Sequence, residues 1–294
     1  MGYTVKVPGS CGELAQGYLD NSNFLISCPI DIYSEVTVTS FHNKRSIEID
    51  SKKRKTKEAI LKLLDYYNIK DIGLRVEVKT KLPEAKGMSS STADLSAALL
   101  AVIRELKLNL DLSLVKNILL QIEPSDATFL KGINVFDHLE GKTMKCLGTI
   151  EPIPLLVFDY GGQVDTINFN ARQDLLSLNK AKNKEIKEAY NLIKEGIQSS
   201  NKKLIGKGAT ISSLANQIIL EKKDLEDLIK SLAKTDGFLG INIAHSGTVI
   251  GIMVSGPKHF NEIIDIIRKK YPKLELLFKT KIINGGFKIR KDEG

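Results

Sequence analysis

Gly87-Met88-Ser89-Ser90-Ser91-Thr92 is the stretch whose reading decides the fold. A strand-like run at 74–78 precedes it. An apolar helix opens directly behind it, with Leu95, Ala98, Leu99, Val102, Ile103 and Leu106 at helical spacing. Small residues let a backbone come close to a ligand. The first N–H groups of a helix have no internal partner, and the helix dipole favours negative charge there. The hydroxyls of Ser90, Ser91 and Thr92 can add hydrogen bonds or reach a magnesium ion, and Lys86 puts a positive charge at the loop's edge. The plainer reading is that Ser90 or Ser91 only N-caps a core helix. Choosing between the two needs partners elsewhere in the chain.

Outward from this loop, alternation predicts strands at 3–7, 35–41 and 74–78, a compact apolar strand at 24–30 and a short one at 47–49. A helix is expected at 56–67, with Ile60, Leu63, Leu64 and Tyr67 on one face, and another at 113–122, ending at Glu123-Pro124. Composition changes near Glu151-Pro152-Ile153-Pro154. Beyond it come a strand at 155–158, helices at 172–197, 203–220 and 225–232, and a β–α–β tail. The tail has strands at 240–244 and 249–254, a helix at 260–269 and strands at 274–278 and 282–289. Strand hairpins mixed with helices predict an α+β protein rather than a doubly wound parallel sheet. The expected division is 1–154 and 155–294.

The chain has 294 residues, 42% apolar and 27% charged, ordinary for a globular enzyme. No apolar run approaches the ~18 residues a membrane helix needs. The first residues lack the basic-then-apolar layout of a signal peptide, so a cytoplasmic protein is expected, without a membrane partner. Three cysteines, none in a C-x-x-C pair, argue against zinc and against a disulfide framework. Cys11 and Cys28 read as small packing groups. The net charge of +8 suits anionic ligands. The basic run Lys52-Lys53-Arg54-Lys55 reads as a solvated loop. It has no neighbouring aromatics for stacking, so a nucleic-acid partner is not expected. Gly141-Lys142-Thr143 lacks the first glycine of a Walker loop, and Gly206-Lys207-Gly208 lacks the last glycine of a dinucleotide fingerprint.

Three separated segments share one further pattern. Pro8-Gly9-Ser10-Cys11-Gly12-Glu13-Leu14, the stretch from Pro83 to Ser91, and Ala244-His245-Ser246-Gly247-Thr248-Val249-Ile250-Gly251 resemble, in order and spacing, the three signatures of the GHMP kinases. Met88 stands where the second signature has Leu, and Thr92 where it has Ala. The continuation Ala15-Gln16-Gly17, with Lys86-Gly87-Met88 and Ile122-Glu123-Pro124-Ser125-Asp126, resembles the L-threonine kinase branch more than homoserine kinase.

The resemblance implies a ribosomal-S5-domain-2-like N-terminal domain and a ferredoxin-like C-terminal domain with the active site between them. It also implies ATP with Mg²⁺ as donor. The nucleotide would lie on Lys86, Gly87, Met88, Ser89, Ser90, Ser91 and Thr92, closed by Ser246 and Gly247. Phosphoryl transfer needs charge neutralisation and a group that orients or deprotonates the acceptor hydroxyl. Asp126 is the candidate for that group. Glu123, with Ser90 and Ser91, is the candidate for the metal, and the two carboxylates can exchange roles. Glu13 and Gln16 are expected acceptor contacts. His245 and the turn Asp159-Tyr160-Gly161-Gly162, with Asp165, read as structural. The small-molecule partner is expected to be an amino-acid alcohol, best L-threonine. Homoserine, other alcohols of the family and, outside the enzymes, an S5-like RNA-binding module are the alternatives. The oligomeric state stays open.

Overall fold

The computed structural model describes residues 2–42 and 45–292. Strands β1 (Gly2–Leu19) and β2 (Ser22–Phe41) form one long antiparallel hairpin. Asp20 and Asn21 close it, both at positive φ (50° and 61°), as a two-residue hairpin turn requires. The sequence predicted shorter pieces of these strands. The intervening Pro8–Gln16 stretch does not alternate, because the ladder is bulged there, between Pro8 and Ser10, Ser10 and Glu13, and Glu13 and Ala15. Bulges re-aim side chains and are common beside functional sites.

The chain continues through β3 (Ser46–Glu48), α1 (Arg54–Tyr66), β4 (Gly73–Thr80), α2 (Ser90–Glu105) and α3 (Leu112–Ile122). Strands β5 (Ile133–Phe136) and β6 (Met144–Gly148) were not predicted; each is too short to show a period. Next come β7 (Ile153–Asp159), α4 (Thr166–Asn170), α5 (Leu175–Ala181), α6 (Asn183–Gln198), α7 (Lys202–Ala215) and α8 (Leu225–Leu232). The helix expected at 172–197 is therefore broken at Lys182, a buried residue whose backbone (φ −96°, ψ 10°) leaves the helical path. Strands β8 (Phe238–Ile243) and β9 (Val249–Val254), helix α9 (Phe260–Lys270), β10 (Glu275–Ile282) and β11 (Lys288–Asp292) complete the chain. The strand expected at 282–289 is cut by Asn284-Gly285-Gly286, which Gly285 ties to Gly132 in an isolated bridge.

The sheet runs β11-β1-β8-β9-β7-β10-β2-β4-β3, with β5 on β2 and β6 on β5. Because β1 also pairs with β2, six of these strands close on themselves. The β1–β8 link is the single pair Glu13–Ile243 and the β10–β2 link the single pair Ile282–Ile30. Side chains alternate across a strand, so β7 serves two cores. Leu155 and Val157 join the larger cluster, and Leu156 and Phe158 the smaller one against α8 and α9. Helix α2 is buried on almost every face, wedged between the β1–β2 hairpin and helices α1 and α3. This explains its uninterrupted apolar run and fixes its N-terminus in space. Among the described residues, no helix is long and apolar enough to cross a membrane.

Leu99 of α2 is fully buried. Leu99→Ala is expected to lower the free energy of unfolding by ~2–5 kcal/mol. A denaturant titration checks this, and a change below ~1 kcal/mol would contradict the buried placement of α2.

Candidate active site

The loop before α2 is held by segments distant in sequence. Ser10 N–H donates to the Met88 carbonyl at 3.0 Å and Gly12 N–H to the Gly87 carbonyl at 3.0 Å. Thr248 and Val249 donate to the Lys86 carbonyl at 2.9 and 3.2 Å. Such approach leaves no room for side chains. Gly12 has φ +56°, and a Cβ there would lie 2.3 Å from the Ile243 carbonyl oxygen. Gly87 has φ +81°, and a Cβ would lie 2.3 Å from that of Ala244.

Neither Ser90 nor Ser91 caps the helix. The N-cap is Ser89, in the left-handed region (φ 52°, ψ 31°), and its side chain does not cap either. A non-glycine residue there costs roughly 1–2 kcal/mol. What holds it is a relay. Ser89 Oγ donates to Asp126 Oδ2 at 2.6 Å, so its bond with Ser10 Oγ at 2.5 Å must be donated by Ser10. The first bonded N–H at this helix start is that of Ala93, to Ser89 at 2.9 Å. The N–H groups of Ser90, Ser91 and Thr92 precede it, on residues that line a cavity of ≈ 780 Å³. This arrangement suits an anion.

Asp126 is buried at the same cavity. Ser27 Oγ donates to its Oδ1, as does Ala127 N–H at 2.6 Å, and its own N–H donates to Thr92 Oγ1 at 3.2 Å. Burial, with the charge of Glu13, raises its pKa above the ordinary carboxylate value against the pull of these hydrogen bonds. Glu123 lines the cavity too and forms an ion pair with Lys55 in the first turn of α1.

The basic run is not merely a solvated loop: Lys52, Lys53, Arg54 and Lys55 line this cavity. Lys53 pairs with Asp94 and Glu84, each at 2.9 Å. Asp94 is buried on α2, where its charge requires a partner, and only the tertiary fold reveals that need. Lys86, expected at the open edge of the phosphate loop, is instead committed elsewhere. Its Nζ pairs with Asp159 at 2.6 Å and donates to the Gly162 carbonyl at 2.7 Å. Burial opposes ionisation of Asp159, but Lys86, Thr248 and Gly161 outweigh it and hold the carboxyl below its usual range. Lys86 thus ties the loop to the end of β7.

Glu13 and Gln16, named as acceptor contacts, line the cavity, and Ser246 lines it with them. Glu13 Oε2 accepts the His245 N–H at 2.9 Å and faces His245 Nδ1 at 3.0 Å. Burial, with Lys182 adding, pushes the His245 pKa down, so the ring is neutral. It therefore donates from Nδ1 to Glu13, and Nε2 accepts from Ser212 Oγ at 3.2 Å. Burial raises Glu13 to about 7, against His245, Lys222 and Lys182. Gln16 Nε2 lies 3.4 Å from His138 Nε2. Gly247 is close-packed on Gly87, and its carbonyl accepts from buried Lys222. Ser27, His138, Lys182 and Lys222 were not singled out from sequence, since each lies in an unremarkable local context.

The GHMP kinases N terminal domain matches residues 54–133. The L-threonine kinase of Salmonella typhimurium is 33% identical, covering 97% of this chain and 95% of that one. The L-threonine kinase of Citrobacter freundii is 30% identical, over 97% and 99%. This chain belongs to the GHMP kinases. It is a phosphotransferase with an alcohol acceptor. A homoserine kinase structure from Cytophaga hutchinsonii superimposes with a TM-score of 0.74 at 16% identity, covering 99% of this chain and 98% of that one. At that identity the likeness speaks for the fold, which is the expected α+β GHMP architecture with its S5-like and ferredoxin-like parts.

Glu13 supplies a test by pH. Its folded pKa, about 7, lies above the unfolded carboxylate value, so its contribution is present at low pH and is lost as pH rises through 7. Melting temperatures of native protein and Glu13→Gln from pH 5 to 8 check this. The variant should gain on the native protein as pH rises. A constant difference would contradict the burial of that charge.

Proposed function

We propose that this kinase transfers the γ-phosphoryl group of ATP to the hydroxyl of L-threonine, giving O-phospho-L-threonine. The observation that carries the reading is the buried carboxylate of Asp126, 2.6 Å from Ser89 at a helix start whose first residues, Ser90, Ser91 and Thr92, line the same cavity. The L-threonine kinases among its relatives support the choice of acceptor.

In this reading the N–H groups of Ser90, Ser91 and Thr92 bind the phosphates. Asp126 accepts the acceptor's proton, aided by its raised pKa. Mg²⁺ characteristically takes one or two carboxylates and completes its shell with phosphate oxygens and water. Glu123, with the hydroxyls of Ser90 and Ser91, fits that donor set. Among the described residues no group of three His, Cys, Asp or Glu offers a self-sufficient metal cage. When bound, the metal supplies neutralisation of charge on the transferring phosphates. Glu13, with Oε2 turned to His245, keeps its other oxygen for the acceptor's ammonium, beside Gln16. The reading carries with it the division at 154/155, a cytoplasmic setting where ATP is available, and a product destined for the aminopropanol linker of cobalamin. Homoserine is the second acceptor to test, since a homoserine kinase shares the fold.

ADP release should be fastest with L-threonine and detectable with serine, which lacks only a methyl, a difference of ~10–200-fold. Homoserine should be slower because its hydroxyl sits one carbon further out, and mevalonate, without an ammonium, should be inert. Homoserine ahead of threonine would overturn the assignment. Asp126→Asn should lower kcat by ~100-fold or more with KM for ATP little changed. Full activity in that variant would remove Asp126 from the chemistry.

A further inference from the structure

A buried lysine lies close to this site without a carboxylate of its own. Lys182 is 3% exposed, and its amine donates to Asn216 Oδ1 at 2.8 Å. It forms no ion pair among the described residues; Glu13 and His245 feel its charge only through space. An ammonium has only protons to give, so Asn216 must turn its oxygen toward Lys182. The amide nitrogen then faces the other way, and among the described residues Asn216 Nδ2 has no partner. A buried donor left unmade is costly, as is a buried uncompensated cation. A negatively charged hydrogen-bond acceptor would serve both, giving the Asn216 amide its partner and opposing the burial that pushes the Lys182 pKa down to about 7.

There is a place for one. Asn216, with Gln16, His138, Asn170 and His245, lines a side cavity of ≈ 200 Å³. Gln16, His138 and Asn170 also line the main cavity, so the two adjoin. Neighbouring cations are already engaged. Arg172 makes a two-pronged pair with Asp174 at 3.0 and 2.7 Å and donates to the Ile219 carbonyl. Lys222 donates to the Gly247 carbonyl.

We infer that the side cavity seats the carboxylate of the amino-acid acceptor, with the Asn216 amide as its contact and Lys182 as the charge behind it. This rests on the amino-acid acceptor proposed above. The acceptor's head group then spans the junction at Gln16, ammonium toward Glu13 and carboxylate toward Asn216, which leaves its hydroxyl for the phosphate loop. Selectivity for amino acids over plain amino alcohols follows from this anchor.

The test compares L-threonine with 1-amino-2-propanol, the same molecule without its carboxylate, in native enzyme, Lys182→Met and Asn216→Ala. The native enzyme should favour threonine strongly. In both variants KM for threonine should rise ~10- to 100-fold, the usual effect of losing a charged hydrogen bond. KM for ATP should stay near native, and the preference for threonine over 1-amino-2-propanol should collapse. Two variants guard against one failing to fold. The anchor is overturned if threonine KM stays within twofold in both, or if the two acceptors lose activity equally. A native enzyme that releases no ADP with threonine would overturn the acceptor reading beneath it.

Discussion

Three consecutive carbonyls, those of Lys86, Gly87 and Met88, accept hydrogen bonds from segments that are remote in sequence. The N-terminal bulged strand supplies two donors, and Thr248 of the β8–β9 turn and Val249 of β9 supply the others. Everything in the site depends on this clasp. It requires glycine at 12 and 87, because backbone meets backbone there. It also ties the loop before α2 to Ser10 and Gly12 of β1, next to Glu13, which pairs with Ile243 of β8. The backbone N–H groups at the start of α2 are thereby held in fixed positions, an arrangement that suits an anion.

Three carboxylates near the clasp are paired with lysines. Lys86 holds Asp159, Lys53 holds Asp94 and Lys55 holds Glu123, whereas Glu13 accepts from the neutral ring and the backbone N–H of His245. Asp126 likewise has no lysine in contact: its partners are hydroxyls and a backbone N–H, and burial with Glu13 nearby raises its pKa. Beside Lys86 the Asp159 carboxyl is held below its usual range, whereas Asp126, held by neutral donors, is raised above it.

Much of this was legible in the sequence because it is written locally. The apolar spacing of Leu95 to Leu106 gave α2, and the small residues before it marked a loop needing close approach. Glu13, Gln16, Glu123, Asp126 and Ser246 do line one cavity. What was illegible depends on partners brought together by the fold. Lys86 looked open, but Asp159 lies 73 residues away in sequence and claims it. The run from Lys52 to Lys55 looked solvated until Asp94 and Glu123 were placed beside it. Ser27 and Lys182 lie in a strand and at a helix break, where no local pattern marks them as partners of Asp126 and Asn216. The single-pair links of β1 to β8 and β10 to β2 leave no trace in hydrophobic periodicity.

The most direct test of the account is a crystal structure with Mg²⁺, a non-hydrolysable ATP analogue and L-threonine together. The account predicts the terminal phosphates on the N–H groups of Ser90, Ser91 and Thr92, with the threonine hydroxyl between the γ-phosphate and Asp126. Phosphates bound away from that helix start, or a threonine hydroxyl facing Glu123 with Asp126 out of reach, would contradict it.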